Sequence, residues 1–161
     1  FGTNIEGKLV KFFMKKIILS VLVISAALVS HAQSAEDSVK TVINNLFTAM
    51  KTSDAVLLKS VFADTAVLQT IETRGSTKVK TDAVAGFVES ISKLPAGAAD
   101  EQITFDIIKI DGALASVWTP YKFYFNGKFS HCGVNSFQLV RFNGEWKIQY
   151  LIDTRRRTNC D

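Results

Sequence analysis

His131 and Asn135 lie among four aromatic residues, Trp118, Tyr124, Phe137 and Tyr150, in the last third of this chain. An imidazole and a carboxamide between aromatic walls suit two kinds of chemistry. They can orient a small, partly aromatic ligand in an apolar pocket. Alternatively, the imidazole can move a proton if an acid assists it. The carboxylates that could assist are Asp64, Asp106 and Asp153. A carboxyl in an apolar cavity has a raised pKa, which brings proton abstraction near neutral pH within reach. Asp64 reads as a turn or cap residue after a helix. Asp106 alternates with Phe105 and Ile107 and so points to solvent. The only other histidine, His31, lies in the leader, and no cysteine pair has metal-ligand spacing. No metal and no cofactor is implied.

Positioning these side chains falls to two tandem β-hairpins. Asn126-Gly127 and Asn143-Gly144 each separate runs rich in aromatic and β-branched residues. Both residues of an Asn-Gly pair tolerate the positive φ angles of a type I′ turn. The strands are expected at Gln102 to Ile110, Ala113 to Phe125, Lys128 to Phe142 and Glu145 to Thr154, with Asp111-Gly112 joining the first two. Regular pairing out from the turns puts Tyr124 opposite Phe129, Lys122 opposite His131 and Trp118 opposite Asn135. On the second hairpin it puts Arg141 opposite Trp146, Phe137 opposite Tyr150 and Asn135 opposite Ile152. One face then carries Leu114, Trp118, Tyr124, Phe129, Phe137, Leu139, Trp146, Ile148, Tyr150 and Ile152, and it reads as the core side by apolar count. A polar set, His131 and Asn135 with Lys122, Thr154 and Arg156 nearby, lies within it. In this register Asp153 points away, so no carboxylate stands beside His131. The opposite face, with Val117, Thr119, Tyr121, Phe123, Val134, Ser136 and Val140, is too apolar for free solvent. A homodimer through the sheet would cover it. The Arg155-Arg156-Arg157 run reads as a solvated strand end.

Upstream, Val39, Val42, Ile43, Leu46, Phe47 and Met50 recur at helical spacing in Asp37 to Thr52. A second helix is expected over Asp54 to Phe62, a strand over Ala66 to Thr73 and an extended piece over Thr77 to Lys80. A third helix, capped by Thr81 or Asp82, runs to about Lys93 before Pro95-Ala96-Gly97. Residues 14–32 carry the marks of a secretory signal peptide. Lys15 and Lys16 precede an apolar run from Ile17 to Val29, and Ser30-His31-Ala32 resembles a cleavage site. Residues 1–13 read as an upstream extension and 33–161 as one domain. Residues 33–161 hold 15 basic and 14 acidic side chains, a net charge of +1, so most of the basic excess belongs to the leader. That balance gives no support for nucleic-acid binding, and no stable membrane anchor is expected after cleavage. Both cysteines, Cys132 and Cys160, fall in the exported part. They read either as a disulfide or as two separate thiols, one buried and one frayed.

Helices followed by an antiparallel meander make an α+β fold with the helices on one face of a bent sheet. Phe62-Ala63-Asp64-Thr65-Ala66-Val67 resembles a loop of the cone-shaped nuclear transport factor 2-like superfamily. Phe137-Gln138-Leu139-Val140-Arg141 with Gly144-Glu145-Trp146-Lys147-Ile148 resembles its closing hairpin. The segment from His131 to Cys160 is most similar to secreted bacterial members grouped as putative lumazine-binding or SnoaL-like proteins. The resemblance implies three helices on a curved sheet. It leaves three functions open. The first is an exported domain binding a small hydrophobic or aromatic molecule in a cone lined by Trp118, Tyr124, His131, Asn135, Phe137 and Tyr150. The second is an isomerase, cyclase or hydrolase acting through His131. The third is a structural domain whose cone is filled by side chains.

Overall fold

The computed structural model describes residues 35–73 and 75–160. The expected extension, signal peptide and cleavage site lie outside them. The chain divides into two units, Phe1–Asp37 and Ser38–Asp161, and the fold below is that of the second.

Three helices and seven strands make up the described residues: α1 (residues 35–52), α2 (Ala55–Ser60), β1 (Phe62–Glu72), β2 (Lys78–Asp82), α3 (Val84–Ser92), β3 (Ala99–Ile103), β4 (Ile107–Asp111), β5 (Leu114–Phe125), β6 (Lys128–Phe142) and β7 (Glu145–Thr154). The fold is α+β as expected, with helices packed on one face of a curved sheet of order β2-β1-β7-β6-β5-β3, and β4 also on β5. Neighbours are antiparallel except β1 with β7. The α1 stripe of Val39, Ile43, Leu46, Phe47 and Met50 is buried, and Phe47 meets the ring of Phe137 edge-on at 6.3 Å. Each such side chain contributes about 1.5–3 kcal/mol by leaving water. Asp54 starts α2 by accepting from the backbone N–H groups of Val56 and Leu57 at 3.0 and 2.9 Å.

The turns form where the Asn-Gly pairs stand. Asn126 and Asn143 have φ of 50° and 49°, and Gly127 and Gly144 follow at 74° and 92°. Three boundaries differ from expectation. Strand β2 runs on through Thr81 and Asp82, so neither caps α3, which starts behind Ala83 with no side-chain cap. Strand β1 begins at Phe62, so Asp64 lies in an irregular stretch of strand and is exposed. The single strand expected over Gln102 to Ile110 is broken at 104–106, where its pairing with β5 slips by one residue.

Candidate functional site

Two one-residue slips decide which side chains face inward. On the first hairpin, Tyr124 pairs with Phe129 as expected, but Phe123 pairs with His131, leaving Ser130 as an extra residue. On the second, Leu139 pairs with Ile148 as expected, but Gln138 pairs with Tyr150, leaving Gln149 extra. Such bulges re-aim every side chain beyond them. The Gln149 bulge is anchored, since its side-chain amide donates to the Thr65 carbonyl at 2.9 Å. Strand β1 is itself irregular there, between Phe62 and Val67.

Beyond the bulges, Asp153 rather than Ile152 pairs with Asn135, and Thr119 rather than Trp118 pairs with it from the other side. Thr70 pairs with Asp153 from β1. One row therefore crosses four strands, Thr70–Asp153–Asn135–Thr119. Its members are 7%, 7%, 4% and 0% exposed and are the buried polar residues among those described. Past the Ile103–Tyr121–Gly133 row, a further row on the same face runs Glu101–Phe123–His131.

Thr70, Asp153, Asn135, Glu101, Phe123 and His131 of these rows floor one end of a cavity of about 520 Å³. Leu46, Phe47 and Met50 of α1, Phe87 and Ile91 of α3, and Leu68 and Leu151 of the sheet make its apolar wall. Glu101, His131, Asn135, Asp153, Thr70 and Arg155 make its polar end, with Lys80 and Asp82 of β2 also lining it.

The polar end is tied together by hydrogen bonds. Asn135 Nδ2 donates to Glu101 Oε1 at 2.8 Å. Asp153 Oδ2 accepts from Arg155 Nε at 2.8 Å and from the Tyr121 hydroxyl at 3.3 Å. Arg155 Nη2 donates to Thr70 Oγ1 at 3.1 Å, and Tyr121 also donates to the Thr154 carbonyl at 2.9 Å. Gly133 makes room for this arrangement. A Cβ there would overlap the Thr154 carbonyl and come within 2.8 Å of the Tyr121 ring. A disulfide joins Cys132 to Cys160. Beside it, Cys132 and Arg156 exchange two backbone hydrogen bonds of 2.8 Å, which hold the chain after β7 along β6 and keep Arg155 at the cavity.

Burial pushes the Glu101 carboxyl up to about 7; the Asn135 hydrogen bond opposes that, the Asp153 charge adds to it and the Arg155 charge opposes it. The residue is partly exposed because it borders the cavity, but its carboxyl sits deep in the protein. His131 is moved below its ordinary value, chiefly by burial and then by the Arg155 charge. Its ring rests against Phe123 at 5.0 Å and edge-on to Tyr121 at 5.7 Å. Tyr121 is raised by burial and by the charges of Asp153 and Glu101, so it is a donor at any ordinary pH. Burial alone would lower Arg155, but the hydrogen bond and charge of Asp153 overcome it and raise the group.

Of the six residues expected to line the pocket, His131 and Asn135 do so. Trp118 does not, because the Ser130 slip turns it to the outer face, opposite Ser136 and 43% exposed. Tyr124 lies at the hairpin end against Phe129, at 5.9 Å. Phe137 is sealed in the core. Tyr150, past the Gln149 slip, is not a lining residue and donates to Gln69 Oε1 at 2.7 Å. The absence of a carboxylate beside His131 is also corrected, since Asp153 and Glu101 both face the cavity. Val117, Thr119, Tyr121 and Phe123 point inward rather than toward a partner, and Arg155, though its side chain is about half exposed, also lines the cavity. Lys122 and Arg156 are exposed, and Thr154 accepts from the Val134 N–H. Sequence carried one unused signal, since Ser116, Pro120 and Lys122 share the β5 face of Trp118 and mark it as outer. Nothing comparable marked Glu101.

A family model described as putative lumazine-binding matches residues 34–150. Among solved structures, a nuclear transport factor 2-like protein of unknown function from Silicibacter pomeroyi superposes with a TM-score of 0.64 at 13% identity, over 78% of this chain and 98% of that one. One from Shewanella baltica, also of unknown function, gives 0.62 at 14% identity, over 78% and 96%. A third, from Streptomyces avermitilis and described as a putative dehydratase, gives 0.58 at 15% identity, over 78% and 98%. At these identities the likeness establishes the fold. No curated protein matches the sequence.

Proposed function

This chain belongs to the putative lumazine-binding family within the nuclear transport factor 2-like superfamily, and on that premise we propose that it binds a small molecule with an aromatic or apolar body and a polar end. The observation that carries this reading is the cavity itself. Its volume falls in the range of about 300–1,000 Å³ usual for small-molecule sites. Its two ends differ in kind, apolar against α1 and α3 and hydrogen-bonding along the sheet. A filled cone would leave no such space.

Gly86 of α3 offers a clean test. It lines the cavity, and a Cβ built there meets nothing within 4 Å. The uncharged probe 2-naphthol should bind saturably at one site, and Gly86→Phe should abolish that binding without loss of fold. Binding that is absent, or indifferent to Gly86→Phe, would overturn the proposal.

A second reading rests on Glu101, whose carboxyl at about 7 inside a cavity suits it to take or give a proton. This reading expects solvent deuterium to enter a C–H bond of a co-purifying ligand and Glu101→Gln to stop the exchange. We also infer export. The leader pattern at 14–32 and the Cys132–Cys160 disulfide support it, and cell fractionation tests it. Pairing of two copies through the outer face is likewise a proposal, supported by the exposed Trp118 and Leu114 on β5.

A further inference from the structure

The polar end of the cavity presents open acceptors. Asn135 Nδ2 satisfies one oxygen of Glu101, and Tyr121 with Arg155 satisfies one oxygen of Asp153. Among the described residues, the second oxygen of each carboxyl and Oδ1 of Asn135 receive no donor. Asn135 and Asp153 are 4% and 7% exposed and both line the cavity, so a molecule lying there is what can reach these oxygens. Two of the five Arg155 N–H groups are turned to protein acceptors, Nε to Asp153 and Nη2 to Thr70.

We propose that this end recognises the cationic head of a small aromatic molecule, an amine, amidine or guanidine, through Glu101, Asn135 and Asp153. The inference rests on the cavity being a ligand site and names the class of ligand. Charge supports it. Asp153 is neutralised by Arg155, and at the rim Lys80 pairs with Asp82 at 2.9 Å. Asp100, next to Glu101 on β3, is paired with Lys51 of α1 at 3.1 Å. His131 is held toward its neutral form. Tyr121 does not ionise, and the cavity-lining residues of α1 and α3 carry no charge. Ionised Glu101 is therefore the one carboxylate of this set without an ion-pair partner, and a bound cation would supply one. An anion would meet two carboxylates. A cation would draw Glu101 fully into its ionised form and displace its proton, so affinity should rise with pH.

Three probes of one shape separate the possibilities: benzamidine, benzamide and benzoate, whose charges stay fixed between pH 6 and 8. Isothermal titration on the intact protein should rank benzamidine first. Its affinity should rise about tenfold from pH 6 to pH 8 as the ionised fraction of Glu101 grows. Benzamide should bind with no such slope, and Glu101→Gln should remove both the slope and the preference. The wild-type pH profile decides the matter alone if that variant misfolds. A flat benzamidine profile, or benzoate bound more tightly than benzamidine, overturns the cationic-head proposal while saturable benzamide or 2-naphthol binding leaves the pocket reading standing. If none of these probes binds, the pocket reading fails and takes this one with it.

Discussion

Strands β6 and β7 build two unlike regions from one pair of chains. From their turn to Gln149 the inward residues are Leu139, Trp146 and Ile148, and with Phe137 just past the bulge they are buried in a dry core. Beyond Gln149 they are Asn135, His131, Leu151 and Asp153, which border an open cavity. The backbone pairing is the same in kind on both sides. What separates them is one unpaired residue, which exchanges the faces of everything that follows. Without it, Tyr150 and Ile152 would continue the apolar core and Asp153 would lie outside. The comparison teaches that this fold makes a polar site by displacing a core pattern by one position. It does not need a separate polar segment.

The largest expected break falls on the dry side. Phe137→Ala removes a wholly buried ring that meets Phe47, and should cost about 3–5 kcal/mol in denaturant unfolding. The loss should be equal at pH 5 and pH 8, since the ring lies within the hydrophobic core cluster.

On the wet side the effect should depend on pH. The Glu101 carboxyl ionises near 7 in the folded protein against an ordinary 4.5. The unfolded chain ionises first, so this group's contribution is complete below about 4.5 and is lost as pH rises through 7. Glu101→Gln cannot ionise. It should therefore become more stable relative to the natural protein between pH 4.5 and pH 8, by about 3 kcal/mol at most. Equal unfolding midpoints at both pH values would contradict a buried, cavity-facing Glu101.

The smallest effect belongs to the residue that regular pairing would have placed inside. Trp118→Ser on the outer face should change monomer stability by less than about 1 kcal/mol and leave 2-naphthol affinity unchanged. Sedimentation of the same variant shows whether two copies meet there.

Much of the fold was legible in the chain because its determinants are local. The Asn-Gly turns, the α1 stripe and the extents of β6 and β7 follow from φ preference and periodicity. The site was legible only in part. His131 and Asn135 stand out as polar residues in an apolar setting, and both are in the cavity. Glu101 looked like the start of a strand, and Arg155 like one charge in an exposed run. The three consecutive apolar residues Tyr150-Leu151-Ile152 break the alternation that precedes them, and that break sits beside the bulge.

The sequence by itself determined where this chain turns, which segments are helix or strand, and the family to which it belongs. Each of these is written in neighbouring residues. Which face a side chain takes was decided only by the tertiary structure. A face depends on counting residues between two strands, and that count is set by a contact such as Gln149 with Thr65, more than eighty positions apart. The cavity is less local still. Residues from α1, α3 and six of the seven strands or their ends must converge to leave it open. The buried polar row that gives the cavity its chemistry exists only once four strands have fixed their registers against one another.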